Sequence, residues 1–354
     1  MKRLHGAMRN VVAGAFVGCC LLAGSLYAYP FGYVPEAASL DTVKALYEEW
    51  KSEYVTSENT ADPETMLRVV GTDGRTISEE HAYGMVLAAY LEDTDETLKK
   101  LWAYAQSHLG PEGLMSYEIA PSDTVSVIGS SSGADVDMGI ALDRAAIRWP
   151  DSDVDWDWTA QLHLRKCMNH RVDGGFALKG VGKGFYINHF ATGYMNRFEQ
   201  RTGNKSWYSG QGSNNTVLGC FLVTGESMST YALPPTYVGS NKYIPTIQQE
   251  EAEGDTANVV IDTAHGTYGL QAARFSWRIG QHGLFYEDFR INLWIKKLYA
   301  FFGDSLDGTT DITNIKASHL ATHGSVLKSG NSPSAVATAG IVGKAAAEWC
   351  EDTT

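Results

Sequence analysis

The chain has 354 residues, with 41 acidic against 28 basic side chains and a net charge of −13; a protein that tracks phosphates needs the opposite sign, so nucleic-acid binding is excluded. Hydrophobic residues at 44% and charged residues at 19% supply a sizeable core and exclude disorder as the main state. Nine Trp, 18 Tyr and 12 Phe suit a groove that stacks ligand rings, although core packing accounts for most of them.

At the N-terminus, Lys2, Arg3 and Arg9 precede an apolar run from Val11 to Tyr27 that ends at Ala28, before Tyr29 and Pro30. This layout predicts a secretory signal peptide over residues 1–28, with an uncleaved anchor as the alternative. The run is short for a spanning helix, which needs about 20 residues. Cleavage would take the net charge from −13 to −16 and leave a strongly acidic secreted or periplasmic protein, free of the membrane. Cys19 and Cys20 fall in the leader. Cys167, Cys220 and Cys350 remain, allowing at most one internal disulfide and showing no zinc spacing. Phe16, Val17, Gly18 and Cys19 make a poor lipoprotein signal.

Residues 29–354 read as one domain. Tyr83, Val86, Leu87, Tyr90 and Leu91 share a helical face, as do Met138, Ala141, Leu142, Ala145 and Trp149. Phe190, Tyr194 and Phe198 form a third stripe, Ile291, Trp294, Ile295, Leu298 and Phe302 a fourth, and residues 335–349 an Ala-rich last helix. Strand-like runs are few: 124–128, 259–261 and 217–223. Without regular alternation of strand and helix, the pattern predicts an all-α domain from about residue 38 to 350. The acidic stretch 248–255 reads as a surface loop.

Several segments could carry chemistry. Ser78 is a candidate N-cap that would set Glu79 in the first turn of an apolar helix, an arrangement that simple dipole compensation also explains. Asp135 and Asp137 open the next helix two residues apart, so they cannot share a face. Just upstream, Gly129, Ser130, Ser131, Ser132 and Gly133 fit a nucleophile elbow. Ser131 would then need one of His189, His265, His282, His319 or His323 as base, and a series of parallel strands that the sequence does not offer. Asp151, Asp153, Asp155 and Asp157 alternate as in a calcium loop but lack its glycine and distal glutamate, so they read as a solvated loop. Gly180–Gly184 lacks the spacing of a phosphate loop, and no HExxH pair occurs. Paired carboxylates, groove aromatics and export together suit glycoside hydrolysis.

Four segments resemble glycoside hydrolase family 8, the inverting endoglucanases, xylanases and chitosanases. Residues Ser78 to Met85 resemble the family's S-E-G-Q-G-Y-G-M, which implies that Glu79 is the general acid. Asp135 to Trp149 is similar to the signature D-x-x-[IM]-A-x-A-L-x-x-A-x-x-x-W. Phe190 to Phe198 resembles the helix S-Y-F-A-P-A-Y-Y-R-V-F, with Asn188 and His189 where Ser and Tyr are usual, and Arg274 to Arg278 resembles R-x-P-W-R. The resemblance spans residues 47–348 and implies an (α/α)6 toroid with a substrate cleft across one end, acting on a polysaccharide or oligosaccharide; acid and base carboxylates suffice without a cofactor, and a monomer is expected.

Two departures accompany it. The aspartate that holds the sugar ring at the cleavage subsite in many members falls on Gly133, so that Asp135 or Asp137 would have to replace it. The usual base position falls on Gln271, whose amide cannot take a proton from water. Asp262 is then the candidate base, with Glu250, Glu251, Glu253 and Asp255 behind it. Glu79, its carboxyl raised by an apolar wall, would protonate the leaving oxygen while a carboxylate about 6.5–9.5 Å away activates water. Tyr83, Asp137, Tyr186, Arg274 and Arg278 are the expected substrate-binding residues. Three readings follow: an inverting hydrolase of a β-1,4-linked polysaccharide, cellulose or another β-glucan ahead of chitosan or xylan; a degenerate glycan-binding protein; and a serine hydrolase at Ser131.

Overall fold

A computed structural model describes residues 39–172, 177–179, 184–212, 214–231, 233–239, 246–248, 259–261, 267–268, 270–286, 288–305, 318–320 and 326–328. Outside these lie the leader, residues 180–183, the acidic segment from 249 to 258, Asp262, His265, His323, Cys350 and the expected helix 335–349. Nine α-helices are described: α1 Leu40–Tyr54, α2 Ser78–Leu91, α3 Glu96–Ser107, α4 Ser132–Arg148, α5 Trp156–Arg171, α6 Met195–Thr202, α7 Thr216–Thr230, α8 Leu270–Tyr286 and α9 Asn292–Ser305.

Side-chain caps start several of them. Ser39 accepts from the Thr42 amide, Asp155 from Trp158 and Asn215 from Leu218, each satisfying a backbone donor that the first turn leaves open. Helix α7 covers the expected strand 217–223, because Asn215 caps it and its apolar face, including Val217, Phe221 and Val223, is buried in the core. The Phe190–Phe198 stripe is also not one helix: 3-10 turns at Ile187–His189 and Thr192–Tyr194 precede α6.

Short strands lie between the helices along the chain. In chain order, β1 Val55–Thr56 pairs with β2 Arg68–Val69, and β4 Glu118–Ile119 lies between β3 Thr76–Ile77 and β5 Val125–Val127. Strands β6 Thr246–Gln248 and β7 Val259–Ile261 form a second ribbon, and β8 Thr267–Tyr268 pairs with β9 Ser318–Leu320, itself paired with β10 Val326–Lys328. All described pairings are antiparallel. The parallel sheet a nucleophile elbow requires is therefore absent among the described residues.

The core has two lobes that share α4 and α5. One, with Met85, Leu98, Leu101, Met138 and Trp156, joins α2 to α5; the other, with Phe190, Phe198, Trp207, Phe275 and Ile279, joins α4 to the later helices. Cys167 and Cys220 are free thiols buried in the second lobe. Helix α2 approaches β2 closely at Gly84, where a Cβ would lie 2.6 Å from Val69 Cγ2 and 3.3 Å from the Trp50 ring. Gly84→Ala gains helix propensity but forces a stiff β-branched neighbour aside, so a net loss of about 1–2 kcal/mol is expected in urea unfolding. Unchanged stability would show that β2 moves freely against α2.

Candidate active site

Helix α2 starts where β3 ends, and this junction delivers Glu79. The Ser78 amide donates to the Tyr117 carbonyl at 2.9 Å, extending the β3–β4 pairing by one bond. Ser78 is not the expected N-cap: Ile77 holds that place without a side-chain bond, and the Ser78 hydroxyl has no partner. The strand pairing, rather than a hydroxyl, sets the helix start.

Glu79 is 6% exposed and held from three sides. Ser131, just before α4, donates to Oε1 at 2.7 Å. His189 Nε2 stands 3.2 Å from the same oxygen, and Arg274 of α8 donates to Oε2. Burial pushes this carboxyl up, but the hydrogen bond and charge of His189, joined by Arg274, outweigh it and hold the group well below the usual carboxylate range. The expected apolar wall is thus a cationic one, and the resting Glu79 is an anion.

Aromatic rings border this carboxylate. The Arg274 guanidinium lies 5.4 Å over the Tyr83 ring, and Tyr83 lies 5.9 Å from Trp277. On the other side Tyr186 stands 5.1 Å from His189 and 4.9 Å from Tyr237. Tyr83, Tyr186 and Arg274 are half-buried and stand around Glu79, Arg274 in contact with it and with Tyr83, and Tyr186 beside His189. A neighbouring cavity of about 440 Å³, within the size range of small-molecule sites, shares Tyr83 and adds Trp50, Tyr54 and Glu80. Burial, then the charge of Asp73, raises the Glu80 carboxyl. Sequence reading passed over Trp50 and Tyr54, because a helix-borne aromatic pair has the same pattern whether it faces a core or a cavity.

Three expected site residues lie elsewhere. Asp135 has no exposed surface; its Oδ2 accepts from Ser130 at 2.6 Å, and burial pushes its carboxyl well up. It cannot reach substrate and is not catalytic in this arrangement. Asp137 and Arg278, each 1% exposed, form a bidentate pair at 2.6 and 2.5 Å inside the core, where neither meets a sugar. Neither aspartate replaces the one missing at Gly133. Asp262 directly follows β7, outside the described residues, and the Gln271 side chain is likewise not described.

The remaining candidates are accounted for by local roles. Ser131 spends its proton on Glu79, which removes the nucleophile of the serine-hydrolase reading. Asp155 caps α5, Asp153 pairs with Lys99 at 2.5 Å, and Asp157 pairs with Arg201. Among the described residues no cluster of His, Cys, Asp or Glu is arranged to hold a metal ion, and no helix is long and apolar enough to cross a membrane.

Comparison with known proteins agrees with this architecture. The family model described as "Glycosyl hydrolases family 8" matches residues 29–250, well over half of the chain. Endoglucanase A of Acetivibrio thermocellus is 25% identical over 312 residues, which cover 83% of this chain and 61% of that protein. The chain spans about half to three fifths of the length of the first curated relatives it matches. Among solved structures, the beta-1,3-1,4-glucanase of Paenibacillus sp. X4 superposes with a TM-score of 0.72 at 20% identity, covering 90% of this chain and 88% of that one. Rex8A of Paenibacillus barcinonensis, complexed with xylose, does so with a TM-score of 0.68 at 15% identity, covering 88% and 84%. The helices therefore form an (α/α)6 toroid.

Proposed function

The chain belongs to glycosyl hydrolase family 8, and from that premise we propose that it cleaves a β-1,4-linked glucan by inversion, with Glu79 as general acid. One observation carries this reading: Glu79 is held by Ser131, His189 and Arg274 at a helix start bordered by Tyr83, Trp277 and Tyr186. Tyrosine and tryptophan faces suit sugar rings, and a buried carboxyl fixed in orientation suits proton delivery to a glycosidic oxygen.

Water activation falls to a carboxylate of the segment around β7, Asp262 foremost, because the usual position carries Gln271. β-Glucan is the preferred substrate because two relatives that align over most of this chain are named an endoglucanase and a beta-glucanase, and one structural neighbour is a glucanase. The same reading places the mature protein outside the cytoplasm, cut after Ala28.

Reducing-end release from carboxymethylcellulose, mixed-linkage β-glucan, xylan and chitosan tests it. Activity on either glucan is the expected result. Cleavage of xylan or chitosan alone would move the specificity. Silence on all four, with cello-oligosaccharide binding retained, would overturn hydrolysis and favour a glycan-holding protein, a reading that Gln271, Gly133 and the ionised Glu79 motivate.

A further inference from the structure

Two departures from the family pattern meet at one point in this molecule. Gly133 stands where the ring-holding aspartate is usual and His189 where a tyrosine is usual. A Cβ on Gly133 would lie 2.9 Å from His189 Cδ2 and 3.0 Å from its Cγ. The imidazole therefore fills space that an aspartate side chain at 133 would need.

From that seat the ring touches hydrogen-bonding groups at both nitrogens. Nδ1 lies 3.2 Å from Ser132 Oγ, whose single proton goes to the Lys179 carbonyl at 2.6 Å. The Ser132 oxygen can then only accept, which places a proton on Nδ1. A neutral ring in that tautomer would aim its Nε2 lone pair at Glu79 Oε1, 3.2 Å away. A second proton between Nε2 and Oε1 turns this repulsion into a charge-assisted bond.

We propose that His189 is the proton partner of Glu79, the two sharing the proton that the general acid delivers to the leaving sugar oxygen. The inference rests on Glu79 acting as the acid. In the step, the glycosidic C–O bond breaks and the leaving oxygen takes one proton from the Glu79 carboxyl. Water bonds to the anomeric carbon and gives its proton to the base. Glu79 recovers its proton through His189 Nε2, which is reprotonated from solvent as the base releases its own, so protons balance over a turnover. The ionisable groups facing the pair are Arg274 of α8 on the far oxygen of Glu79, Tyr186 beside the ring, and Glu80, Tyr83 and Tyr117, whose ionisation the charge of Glu79 opposes. Without His189 the carboxyl keeps Arg274 as its cationic partner but must hold the proton by itself, and so gives it up at lower pH than the pair does.

The test is kcat/KM against pH for the wild type and His189→Gln, beside ¹⁵N NMR of His189 in the wild type and Glu79→Gln. In His189→Gln the alkaline limb is expected to move to acid by at least about one pH unit, with kcat at pH 7 down about 10–100-fold and KM little changed. A purely structural histidine would lower activity without moving the limb, and an unmoved limb overturns the proposal. If His189→Gln folds poorly, Gly133→Ala displaces the ring without removing it and is expected to shift the limb the same way. The NMR arm needs no substrate: a slowly exchanging proton on His189 Nε2, bridging to the Glu79 carboxylate 3.2 Å away, is expected in the wild type and not in Glu79→Gln. Absence of that bridging proton in the wild type refutes the shared proton even if the wild type cleaves nothing, whereas failure on every polymer with the expected NMR result refutes hydrolysis alone.

Discussion

Glu79→Gln is expected to lower kcat on the cleaved glucan by about 10²–10⁴-fold while leaving KM nearly unchanged, the usual range for removing a positioned general acid. The amide keeps the shape of the side chain and can still meet Ser131 and Arg274, the partners that now bind its two oxygens. It cannot give up a proton. An aryl glycoside whose phenol leaves without protonation should lose far less rate than the polymer, which separates lost acid catalysis from a disturbed cleft. A polymer rate within about tenfold of wild type would remove Glu79 from the acid's role. A second signature comes from linkage. Because the folded carboxyl is held below its usual range, its stabilisation is present above the unfolded value of about 4.3 and is lost as pH falls through the folded one. The difference in Tm between neutral and acid pH should therefore shrink in Glu79→Gln.

What the sequence reveals of this site follows from which interactions are local. The periodic runs beginning near Glu79 and Met138 appear as α2 and α4, but the stripe from Tyr83 to Leu91 is only partly covered while Ala82, Met85 and Ala89 pack inside, and α4 is buried on every side from Ser132 to Asp143. Glu79 is legible because a motif and a helix start coincide there. Asp135 and Asp137 look equivalent in sequence, yet burial excludes both from the cleft, and the partners that distant elements bring to them, Arg171 for one and Arg278 for the other, carry no local signal. Arg274 and Arg278 are one helical turn apart on α8 and part in the same way: the first reaches Glu79 and the second the core. His189 carries no local signal for its contact with Glu79. That contact depends on a missing Cβ at Gly133, on another helix, and on a serine whose proton is directed to the Lys179 carbonyl. Val217 to Val223 misleads in the opposite way, since β-branched residues accept a helix once its apolar face is buried.

Asp137→Ala is expected to destabilise the protein by about 3–5 kcal/mol, seen as a fall in Tm of about 5–8 °C for a chain of this size. The cost arises from Arg278, left fully buried with its charge uncompensated; both guanidinium contacts to Asp137 disappear, and Nε already has no partner. Stacking on the Trp277 ring at 4.3 Å and the Tyr194 ring at 5.8 Å retains the cation's packing but not its hydrogen bonds. Replacing both members at once, as Asp137→Leu with Arg278→Met, should recover most of the loss, because an apolar pair of similar volume avoids the desolvation that the ion pair only partly offsets. The pair ties α4 to α8, the helices that carry Gly133 and Arg274, so its removal should loosen the cleft only as the fold itself loosens. Well below its Tm, Asp137→Ala should therefore keep a wild-type KM. A wild-type Tm with a raised KM would instead place this pair against the sugar, and would contradict the burial that separates it from the cleft.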